Sequence, residues 1–517
     1  MGLVEDHQAT SSVENRIPAE ALVPPDTHAV THLGLWQRAL SLDQHTVIVI
    51  LGFLCLFASN FMAQTDPDFW WHLRTGQLIA QTGAVPHQDI YSYTALGHPW
   101  VAQEWLAELL MYWLYAGGGY AAVATVFSLV MTGAYFVLYR LLLRLEVGRT
   151  VALALVAWAT VIRLALWSPR PQIITFLFFS IALYLLFSYK LHGRARLWML
   201  PLMTVVWVNV HAGYVSGLLL IGLFVVGEAL NSLTHRPAAS LRPLILAGLA
   251  SGVAALANPN TYTALLYPFT YVGTGNASMR FITEWQSPDF HNYFFLPFAL
   301  AIVLLMTVGS RGRLDFTYSL VVLVFTVMAL QSARHVVLFA LATAPVLGLR
   351  LKERGVRLSV EVKGGGRFFG AVNLALVILV PLLVAFVLAA SPFSQARPTP
   401  STKGYPTGGV AYLKEHRLTG NLFNTYGWGG YLIYELYPEY RVFIDGRADM
   451  YGDQLMTEYN QVVNIKPQWR EVLQKYQVRT VLIEKNSPLA VLLSSQQDWR
   501  KVYEGEVEEI FVQQGSQ

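Results

Sequence analysis

The chain has few charged residues and almost no cysteine. Of its 517 residues, 13% are Asp, Glu, Lys or Arg, whereas 54% are hydrophobic and the mean hydropathy is +0.42. A soluble domain carries about twice that share of charge. The composition therefore excludes an ordinary soluble protein and indicates a polytopic membrane protein. The single cysteine, Cys55, allows neither an intramolecular disulfide nor a cysteine-rich metal site.

The sequence also lacks a Gly-rich Walker loop, a dinucleotide-binding fingerprint and internal repeats. Its net charge of +4 is small for this length and comes from short loops rather than from one basic patch. We therefore expect neither a nucleotide cofactor nor a nucleic acid partner.

Long apolar runs dominate the first three quarters of the chain. At roughly 20 residues per bilayer crossing, they predict about eleven transmembrane helices. These runs are 46–63, 119–143, 150–167, 173–189, 197–210, 214–230, 243–257, 293–309, 316–331, 335–349 and 369–390. The preceding residues, 1–44, include Pro18, Pro24 and Pro25 and predict a disordered tail. Residues 45–390 are predicted to form the transmembrane domain.

Lysine and arginine occur in every second loop, and such loops stay cytoplasmic. The basic clusters are Arg140/Arg144/Arg149, Lys190/Arg194/Arg196, Arg236/Arg242, Arg311/Arg313 and Arg350/Lys352/Arg354/Arg357. This alternation requires that 103–116, which contains Glu104 and Glu108, is an interfacial helix and not a crossing. It predicts a protein of the inner (plasma) membrane with a cytoplasmic N-terminus.

With this topology, the unusual polar segments collect on the extracytoplasmic face. They are 64–118, 168–172, 209–213, 258–292, Arg334-His335 and everything from 391 onward. Because only Lys and Arg fixed the topology, this convergence independently predicts a functional site on the outer face.

The C-terminal residues, 391–517, change character and predict a small soluble α/β domain. Short apolar runs at Arg441–Asp445 and Arg479–Glu484 predict buried strands. Three segments have helical spacing: Gly409–His416, Gln454–Val463 and Trp469–Tyr476.

The segment from Asp66 to His72 places two carboxylates, two indoles and an imidazole directly after the first apolar run. Asp68 is a suitable N-cap for a helix over Phe69–Gln81. Alternatively, one carboxylate is a general base for an acceptor hydroxyl and the other positions it or binds a metal. Trp70 and Trp71 are either interfacial anchors or a platform on which a sugar stacks.

Further side chains on the outer face are candidates for binding a substrate. They are His72, Arg74, Glu104, Arg170, His211, Glu284, Arg334 and His335, with Arg280 as one more cation. The cations among them could stabilise the charge of a phosphate leaving group. The alternative is that each arginine contacts a lipid headgroup or pairs with an outer acid.

Two of these candidates have structural alternatives of their own. His211 lies at a turn beside Gly213, where a histidine can bond the backbone or contact a substrate. Glu284 could bind an acceptor or a metal, or pair with Arg280 one turn earlier.

A third group follows the predicted strand at Arg441–Asp445. Asp445, Arg447 and Asp449 are interpreted as a structural ion-pair network and are not expected to be catalytic.

The first outer loop resembles that of the GT-C superfamily. It has an acidic residue after transmembrane helix 1, an amphipathic juxtamembrane helix, a Gly-Xaa-Xaa-Pro turn at Gly83–Pro86 and a second interfacial helix. That superfamily contains the aminoarabinose and protein mannosyl transferases, which use polyprenyl-phosphate sugars. The resemblance covers 46–390 and implies that Asp68, or else Asp66, is the catalytic base. Phe69 departs from the acidic residue that often follows.

A closer resemblance is to a group of uncharacterised bacterial membrane proteins. They share an outer C-terminal domain with a strand end like Ile444-Asp445-Gly446-Arg447. This resemblance covers the first loop and the C-terminal domain and names no substrate.

The sequence thus predicts an inverting glycosyltransferase that uses a polyprenyl-phosphate-linked sugar. The acceptor, whether a lipid, a glycan or a protein, stays open, as does a divalent metal, and membrane lipids are expected partners. The alternatives are a transporter or flippase of lipid-linked substrates and a non-catalytic scaffold. A transporter would have ionisable residues at mid-membrane, whereas Arg163 and Glu228 lie toward the ends of their spans.

Overall fold

The computed structural model describes residues 44–61, 66–163, 169–193, 195–267, 281–292, 295–309, 315–356 and 404–514. The predicted N-terminal tail, the predicted span 369–390 and Arg280 lie outside these residues. The predicted boundary at 390–391 is not tested for the same reason.

Apolar helices occupy the predicted spans throughout the described part of the membrane region. In chain order, the helices of this region are α1 (Gln44–Phe61), α2 (Phe69–Thr82), α3 (Trp105–Arg144), α4 (Arg149–Arg163), α5 (Gln172–His192), α6 (Met199–Val210), α7 (Tyr214–Leu233), α8 (Leu241–Ala254), α9 (Thr261–Leu266), α10 (Leu296–Gly309), α11 (Phe316–Gln331) and α12 (Val336–Glu353). In the described residues, five of them (α1, α3, α5, α7 and α12) are long and apolar enough to cross a membrane, and five more are shorter apolar helices (α4, α6, α8, α10 and α11). The prediction of a helical polytopic membrane protein is confirmed.

Helix α3 is broken at Gly118 and Gly119. Their backbone leaves the helical region, with φ −148° at Gly118 and φ 61° at Gly119. Glycine alone adopts the second of these without strain. The break separates the part that contains Glu108 from the apolar part after it, as expected if 103–116 is not one continuous crossing with 119–143.

The C-terminal region contains a four-stranded sheet with helices around it, which confirms the α/β prediction. Its elements are α13 (Thr407–His416), β1 (Asn421–Asn424), α14 (Gly429–Leu436), α15 (Ala448–Val463), α16 (Trp469–Lys475), β2 (Val478–Glu484), α17 (Pro488–Ser495), β3 (Trp499–Glu504) and β4 (Glu508–Gln513). The strand order is β1-β2-β4-β3, with β1 parallel to β2 and the other pairs antiparallel. The apolar faces of β2 and β4 are buried in its core.

The strand predicted at Arg441–Asp445 is wrong. The segment is buried from Val442 to Asp445, but it does not join the sheet. Instead, the Val442 N–H donates to the Tyr91 carbonyl at 3.1 Å, and the Val442 carbonyl accepts from the Tyr93 N–H at 3.2 Å. The segment therefore fastens the C-terminal domain to the first outer loop, a pairing partner far away in the sequence.

Aromatic packing strengthens the same junction. Trp70 of α2 is 1% exposed and packs edge-on against Tyr405 and Tyr431 of the C-terminal region. The structure thus places Trp70 in a protein core, and neither an interfacial anchor nor a sugar platform describes it. The burial of such a large ring favours a fixed position for the C-terminal domain over α2.

Candidate functional site

A cavity of about 1160 Å³ lies between the transmembrane helices and the C-terminal domain. Its walls come from the first outer loop, the start of α5, the turn between α6 and α7, the segment 281–287, the α11–α12 junction and the C-terminal segments 426–427 and 446–449. The predicted site residues on these walls are Asp66, Asp68, His72, Glu104, Arg170, His211, Glu284, Arg334 and His335. Residues that are far apart in the sequence thus meet at one place.

Three carboxylates converge on one guanidinium in this cavity. Arg170 lies just before α5, and its Nη1 donates to Glu284 Oε2 at 3.0 Å. Its Nη2 contacts Asp66 Oδ2 and lies 3.5 Å from Asp68 Oδ2. We call these four residues the Arg170 cluster. Burial alone would lower the pKa of Arg170, but the three carboxylates raise it above its usual value, so this cation stays charged.

A salt bridge between Glu284 and Arg280, one of the alternatives raised from the sequence, is not tested, because Arg280 is outside the described residues. Among the described residues Glu284 pairs with Arg170, and Arg334 Nε lies 4.0 Å from the same carboxylate. Burial raises the pKa of Glu284, but the two arginines outweigh it and lower the pKa below its usual value. Glu284 is therefore ionised and helps to hold both cations at the cavity.

The two aspartates of the Arg170 cluster differ in what their oxygens contact. Asp66 uses both oxygens, since Oδ1 accepts from the Asp68 N–H at 2.8 Å and Oδ2 contacts Arg170. Asp68 Oδ1 accepts from the Trp71 indole N–H at 3.1 Å, while Oδ2 has only the longer contact to Arg170. The side chain of Asp68 is 21% exposed and that of Asp66 9%. Asp68 thus retains accessible lone pairs.

The N-cap prediction for Asp68 holds for its position only. Asp68 precedes α2, but its carboxylate makes no capping hydrogen bond to the helix and bonds Trp71 instead. Burial raises the pKa of Asp68 to about 6, with a smaller raising effect from Asp66 and an opposing effect from Arg170. At neutral pH the carboxylate is largely ionised and poised near the pH at which a base works best.

The C-terminal domain touches Asp68 directly. A Cβ atom added at Gly446 would lie 1.7 Å from Asp68 Oδ1, so only glycine permits this backbone to approach so closely. Gly446 is held by its neighbours: the Arg447 guanidinium binds Asp445 Oδ2 at 2.7 Å and Asp89 Oδ1 at 2.9 Å. This buried network confirms the interpretation of Asp445 and Arg447 as structural.

Asp449 differs from Asp445 and Arg447 because it does not take part in their ion-pair network. Its side chain lines the cavity and makes no salt bridge to any residue in the described ranges. Burial raises the pKa of Asp449 to about 6, with a further contribution from the carboxylate of Asp68.

A second polar group surrounds Glu104 on another wall of the cavity. Glu104 Oε1 lies 3.4 Å from His211 Nε2, and Oε2 lies 3.7 Å from His72 Nε2. The other nitrogen of His72, Nδ1, lies 3.1 Å from Glu108 Oε1. Burial raises the pKa of Glu104 to about 8. Glu104 is thus held between two imidazoles and protonates more readily than an ordinary glutamate.

The hydrogen bonds of His211 fix where its proton lies. The Gly213 N–H donates to His211 Nδ1 at 2.9 Å, so Nδ1 is an acceptor and carries no proton. Burial, with the charges of Arg334 and Arg170, lowers the pKa of His211 to about 3, so the ring is neutral. Its proton is therefore on Nε2, facing Glu104. His72 is likewise kept neutral, because burial and Arg170 lower its pKa.

Two predicted site residues, Arg74 and His335, belong neither to the Arg170 cluster nor to the group around Glu104. Arg74 does not line the cavity: its guanidinium donates to the Tyr437 carbonyl at 2.9 Å and to Gln77 at 2.7 Å, so the structure does not bring it to the predicted phosphate. His335 lines the cavity, with Nδ1 3.3 Å from the Met328 carbonyl.

Sequence reasoning missed several residues of the cavity wall. They are Glu108, Tyr426, Gly427, Gly446 and Ala448, together with the cavity position of Asp449. The Ile-Asp-Gly-Arg segment was the one available signal, and it gave no indication that it meets Asp68.

A divalent metal was left open by the sequence. In the ranges that the structure describes, no group of three or more His, Cys, Asp or Glu residues is arranged to hold a metal ion. The acids that come closest to such a group, Asp66, Asp68 and Glu284, already surround the guanidinium of Arg170. The residues present therefore fit an arginine-centred cluster better than a metal site.

Comparison with known proteins locates the fold. No family model and no curated protein matches the chain. A cryo-EM structure of the arabinofuranosyltransferase AftD from Mycobacteria is similar, with 14% identity, a TM-score of 0.50, and coverage of 92% of this chain and 40% of that one. A crystal structure of ArnT from Cupriavidus metallidurans in the apo state has 14% identity and a TM-score of 0.48, with 90% of this chain and 96% of that one covered.

The chain spans about two fifths of the length of AftD. At this identity the likeness shows a shared fold, and that fold is the GT-C architecture that the first loop resembles. The prediction of a GT-C-like fold is confirmed, and the protein is a multi-pass membrane protein.

Proposed function

We propose that the protein is a membrane glycosyltransferase that moves a sugar from a polyprenyl-phosphate donor to an acceptor hydroxyl on the extracytoplasmic face, with Asp68 as the general base. The observation that carries this proposal is the geometry of Asp68, an accessible carboxylate that lies 3.5 Å from Arg170 in a large cavity that Arg334 also lines. A base and cations for a phosphate are the two groups that this reaction requires.

The cavity wall suits a donor with a lipid chain. A polyprenyl phosphate keeps its chain in the bilayer and its phosphate at the interface, so its site needs apolar and cationic surfaces side by side. The apolar part comes from membrane helices, with Phe176, Val215, Leu219, Met328 and Leu338. The cationic part consists of Arg170 and Arg334.

The reaction is a single displacement. Asp68 accepts the proton of the acceptor hydroxyl while its oxygen attacks the anomeric carbon. The bond from that carbon to the phosphate oxygen breaks on the opposite side, and the polyprenyl phosphate leaves with the electron pair, so the configuration inverts. Arg170 and Arg334 stabilise the charge that develops on the phosphate.

Asp68 is preferred over Asp66 as the base. Both oxygens of Asp66 are already bonded, one to Arg170 and one to the Asp68 N–H. Asp66 is therefore proposed to position Arg170 and Asp68. Asp68 has the more exposed carboxylate and a pKa of about 6. The role of Asp66 is then to fix the Arg170 guanidinium and to hold the entry of α2.

The extracytoplasmic orientation rests on the distribution of Lys and Arg in the loops. It places the cavity where lipid-linked sugars are consumed outside the cell and leaves the N-terminus in the cytoplasm. The same proposal assigns the protein to the inner (plasma) membrane.

The test uses purified protein in lipid nanodiscs and a panel of polyprenyl-phosphate-linked pentoses and hexoses. Sugar release to water and transfer to added glycans are measured for the wild type, Asp68→Asn and Asp66→Asn, with matched thermal unfolding temperatures. Asp68→Asn should lose about 10²- to 10⁴-fold in rate, the usual contribution of a general base. Asp66→Asn should lose less.

The matched control is Asp289→Asn, because Asp289 is an exposed loop carboxylate and does not line the cavity. It should behave like the wild type. Full activity of Asp68→Asn would remove Asp68 as the base. A wild type that turns over no donor, with normal behaviour of both cavity variants in cells, would overturn the transferase and favour a scaffold or a transporter.

A further inference from the structure

The C-terminal domain forms one whole wall of the cavity. This outer wall consists of Tyr426, Gly427, Gly446, Arg447, Ala448 and Asp449. It faces Asp68, because Gly446 lies against the carboxylate. A domain that merely covered the membrane region would not need to approach the base so closely.

The charges on the outer wall differ from those on the membrane side. Arg447 is 3% exposed, and its charge is already matched by Asp445 and Asp89. Asp449 has no ion-pair partner among the residues of the described ranges, so no neighbouring cation there neutralises the carboxylate that the outer wall presents to the cavity. The membrane side contributes Arg170 and Arg334, the cations that suit a phosphate.

We propose that the outer wall is the acceptor subsite and that Asp449 binds hydroxyl groups of a neutral or amino-bearing saccharide. This inference rests on the proposed transferase function and names the acceptor class for the same site. A carboxylate accepts hydrogen bonds from hydroxyl groups strongly. The same carboxylate repels an anionic acceptor, so phosphorylated or uronic acid acceptors are disfavoured.

The donor and the acceptor approach the cavity from different sides. The donor chain stays in the bilayer and reaches the cavity along the apolar helices, so the aqueous outer wall is left for the acceptor. The acceptor hydroxyl must also come within hydrogen-bond reach of the base. The outer wall meets this requirement, since Gly446 touches Asp68 and Asp449 is three residues further along the chain.

The outer wall is built to keep its shape. Arg447 is stacked over Trp100 at 4.6 Å and over Tyr91 at 5.1 Å, in addition to its two ion pairs. The Tyr426 N–H donates to the Tyr459 hydroxyl at 2.7 Å. A rigid wall of this kind supports recognition, because little ordering entropy is lost when a ligand binds.

The test measures binding of two probes to the full-length protein in nanodiscs. They are p-nitrophenyl α-D-mannopyranoside, which is neutral, and p-nitrophenyl β-D-glucuronide, which is anionic. Both quench tryptophan fluorescence, and Trp71, Trp100 and Trp285 line the cavity. Sugar release from the donor to water is measured in parallel, without any glycoside.

The wild type should bind the neutral glycoside about tenfold or more tightly than the glucuronide. Asp449→Asn should weaken the neutral glycoside by about tenfold, the usual effect of losing a hydrogen bond to a charged group. Asp449→Asn should also reduce the preference for the neutral glycoside over the glucuronide. It should slow sugar release to water by a smaller factor than the loss in affinity for the neutral glycoside. The matched control is Asp453→Asn, an exposed acid of the same helix outside the cavity, which should change neither binding nor release.

A second variant keeps the test decisive if Asp449→Asn does not fold. A Cβ atom at Gly427 would meet nothing within 4 Å, so a side chain can start there without displacing a neighbour, and Gly427→Trp is expected to fill the outer wall. It should block the neutral glycoside. Equal binding of the two probes by the wild type, or unchanged binding in Asp449→Asn, would overturn the acceptor subsite.

Two further outcomes have fixed meanings. If Asp449→Asn slows sugar release more than it weakens glycoside binding, Asp449 serves the donor and the inference is wrong. If the wild type binds the neutral glycoside but releases sugar from no donor, the saccharide subsite is supported while the transferase function fails. The two proposals are therefore separable.

Discussion

The two ends of α5 each carry a cation among carboxylates, and the two clusters differ in how fully their atoms are bonded. At the start of α5 is the Arg170 cluster. Near its end, about 30 Å away at 1.5 Å per residue, Lys190 contacts Glu228 and lies 2.9 Å from Asp315. We call Lys190, Glu228, Asp315 and Thr317 the Lys190 cluster.

The Lys190 cluster is more fully bonded, although the Asp315 side chain is 22% exposed. Glu228 is fully buried and uses both oxygens: Oε1 contacts Lys190 and accepts from the Thr317 hydroxyl at 2.5 Å, and Oε2 accepts from the Ala239 N–H at 2.7 Å. None of its members lines the cavity between the described helices and the C-terminal domain. It ties α5 to α7 and α11.

The Arg170 cluster is open by the same criteria. It lines the cavity, and Asp68 keeps lone pairs that no residue of the described ranges fills. Two ionic clusters with similar compositions therefore have different roles. A fully bonded cluster stabilises the fold, whereas a cluster with accessible atoms is available to a substrate.

The comparison is tested most strongly by Lys190→Ala. Removing one partner of a buried ion pair leaves an uncompensated charge and costs about 3–5 kcal/mol. We expect a loss of stability of this size in thermal and denaturant unfolding in detergent. Sugar transfer per folded molecule should stay normal, because no member of the Lys190 cluster reaches the cavity. A stable variant with no transfer activity would show that the Lys190 cluster also serves the reaction.

The next effect concerns the open cluster and the backbone beside it. Gly446→Ala places a Cβ where the Asp68 carboxylate lies, and a shift of about 1 Å at a reacting group can cost about a hundredfold in rate. We expect such a loss in steady-state transfer with a small change in the unfolding temperature. Gly222→Ala is the matched control, since a Cβ at Gly222 meets nothing within 4 Å. An active Gly446→Ala enzyme would place the reaction away from Asp68.

The sequence predicted the fold from strong local signals. Apolar runs located the helices, and the basic loops grouped Asp68, Arg170, His211 and Glu284 before any contact was known. The short apolar run at Arg441–Asp445 gave a wrong strand, because that segment is buried against the first outer loop and not inside a sheet. A burial pattern records that a segment is covered and does not record by which partner.

The sequence analysis missed parts of the site for the same reason. Gly446 and Asp449 matter through their contact with the first loop, and one sequence contains no information about which distant residues meet. The N-cap prediction for Asp68 was right for its position and wrong for its hydrogen bond, for a related reason. A cap was expected from local pattern, but the Trp71 indole and Arg170 compete for the carboxylate.

A smaller effect is expected in the pH dependence. Asp68 must be ionised to accept a proton, and its pKa is about 6, so kcat/KM should fall about tenfold per pH unit below about pH 6. The Asp66 carboxylate raises the pKa of Asp68. In Asp66→Asn this raising effect is lost, and Arg170 is freer to lower the pKa further. The acid limb should therefore move to lower pH in a pH series of initial rates. A limb at the same pH would mean that another group titrates.

The smallest effect is expected from an exposed ion pair. Lys414 Nζ lies 2.7 Å from Glu435 Oε2, but the Lys414 side chain is 51% exposed. Water screens such a pair and side-chain ordering opposes it, so Lys414→Ala should cost less than about 1 kcal/mol in unfolding and nothing in transfer rate. Both measurements use the same detergent as Lys190→Ala. A cost as large as that of Lys190→Ala would mean that bonding and burial do not distinguish these clusters. A small loss of unfolding free energy in Lys414→Ala would show that paired charges alone do not stabilise the fold. The difference between the two ends of α5 would then come from how fully the atoms of each cluster are bonded.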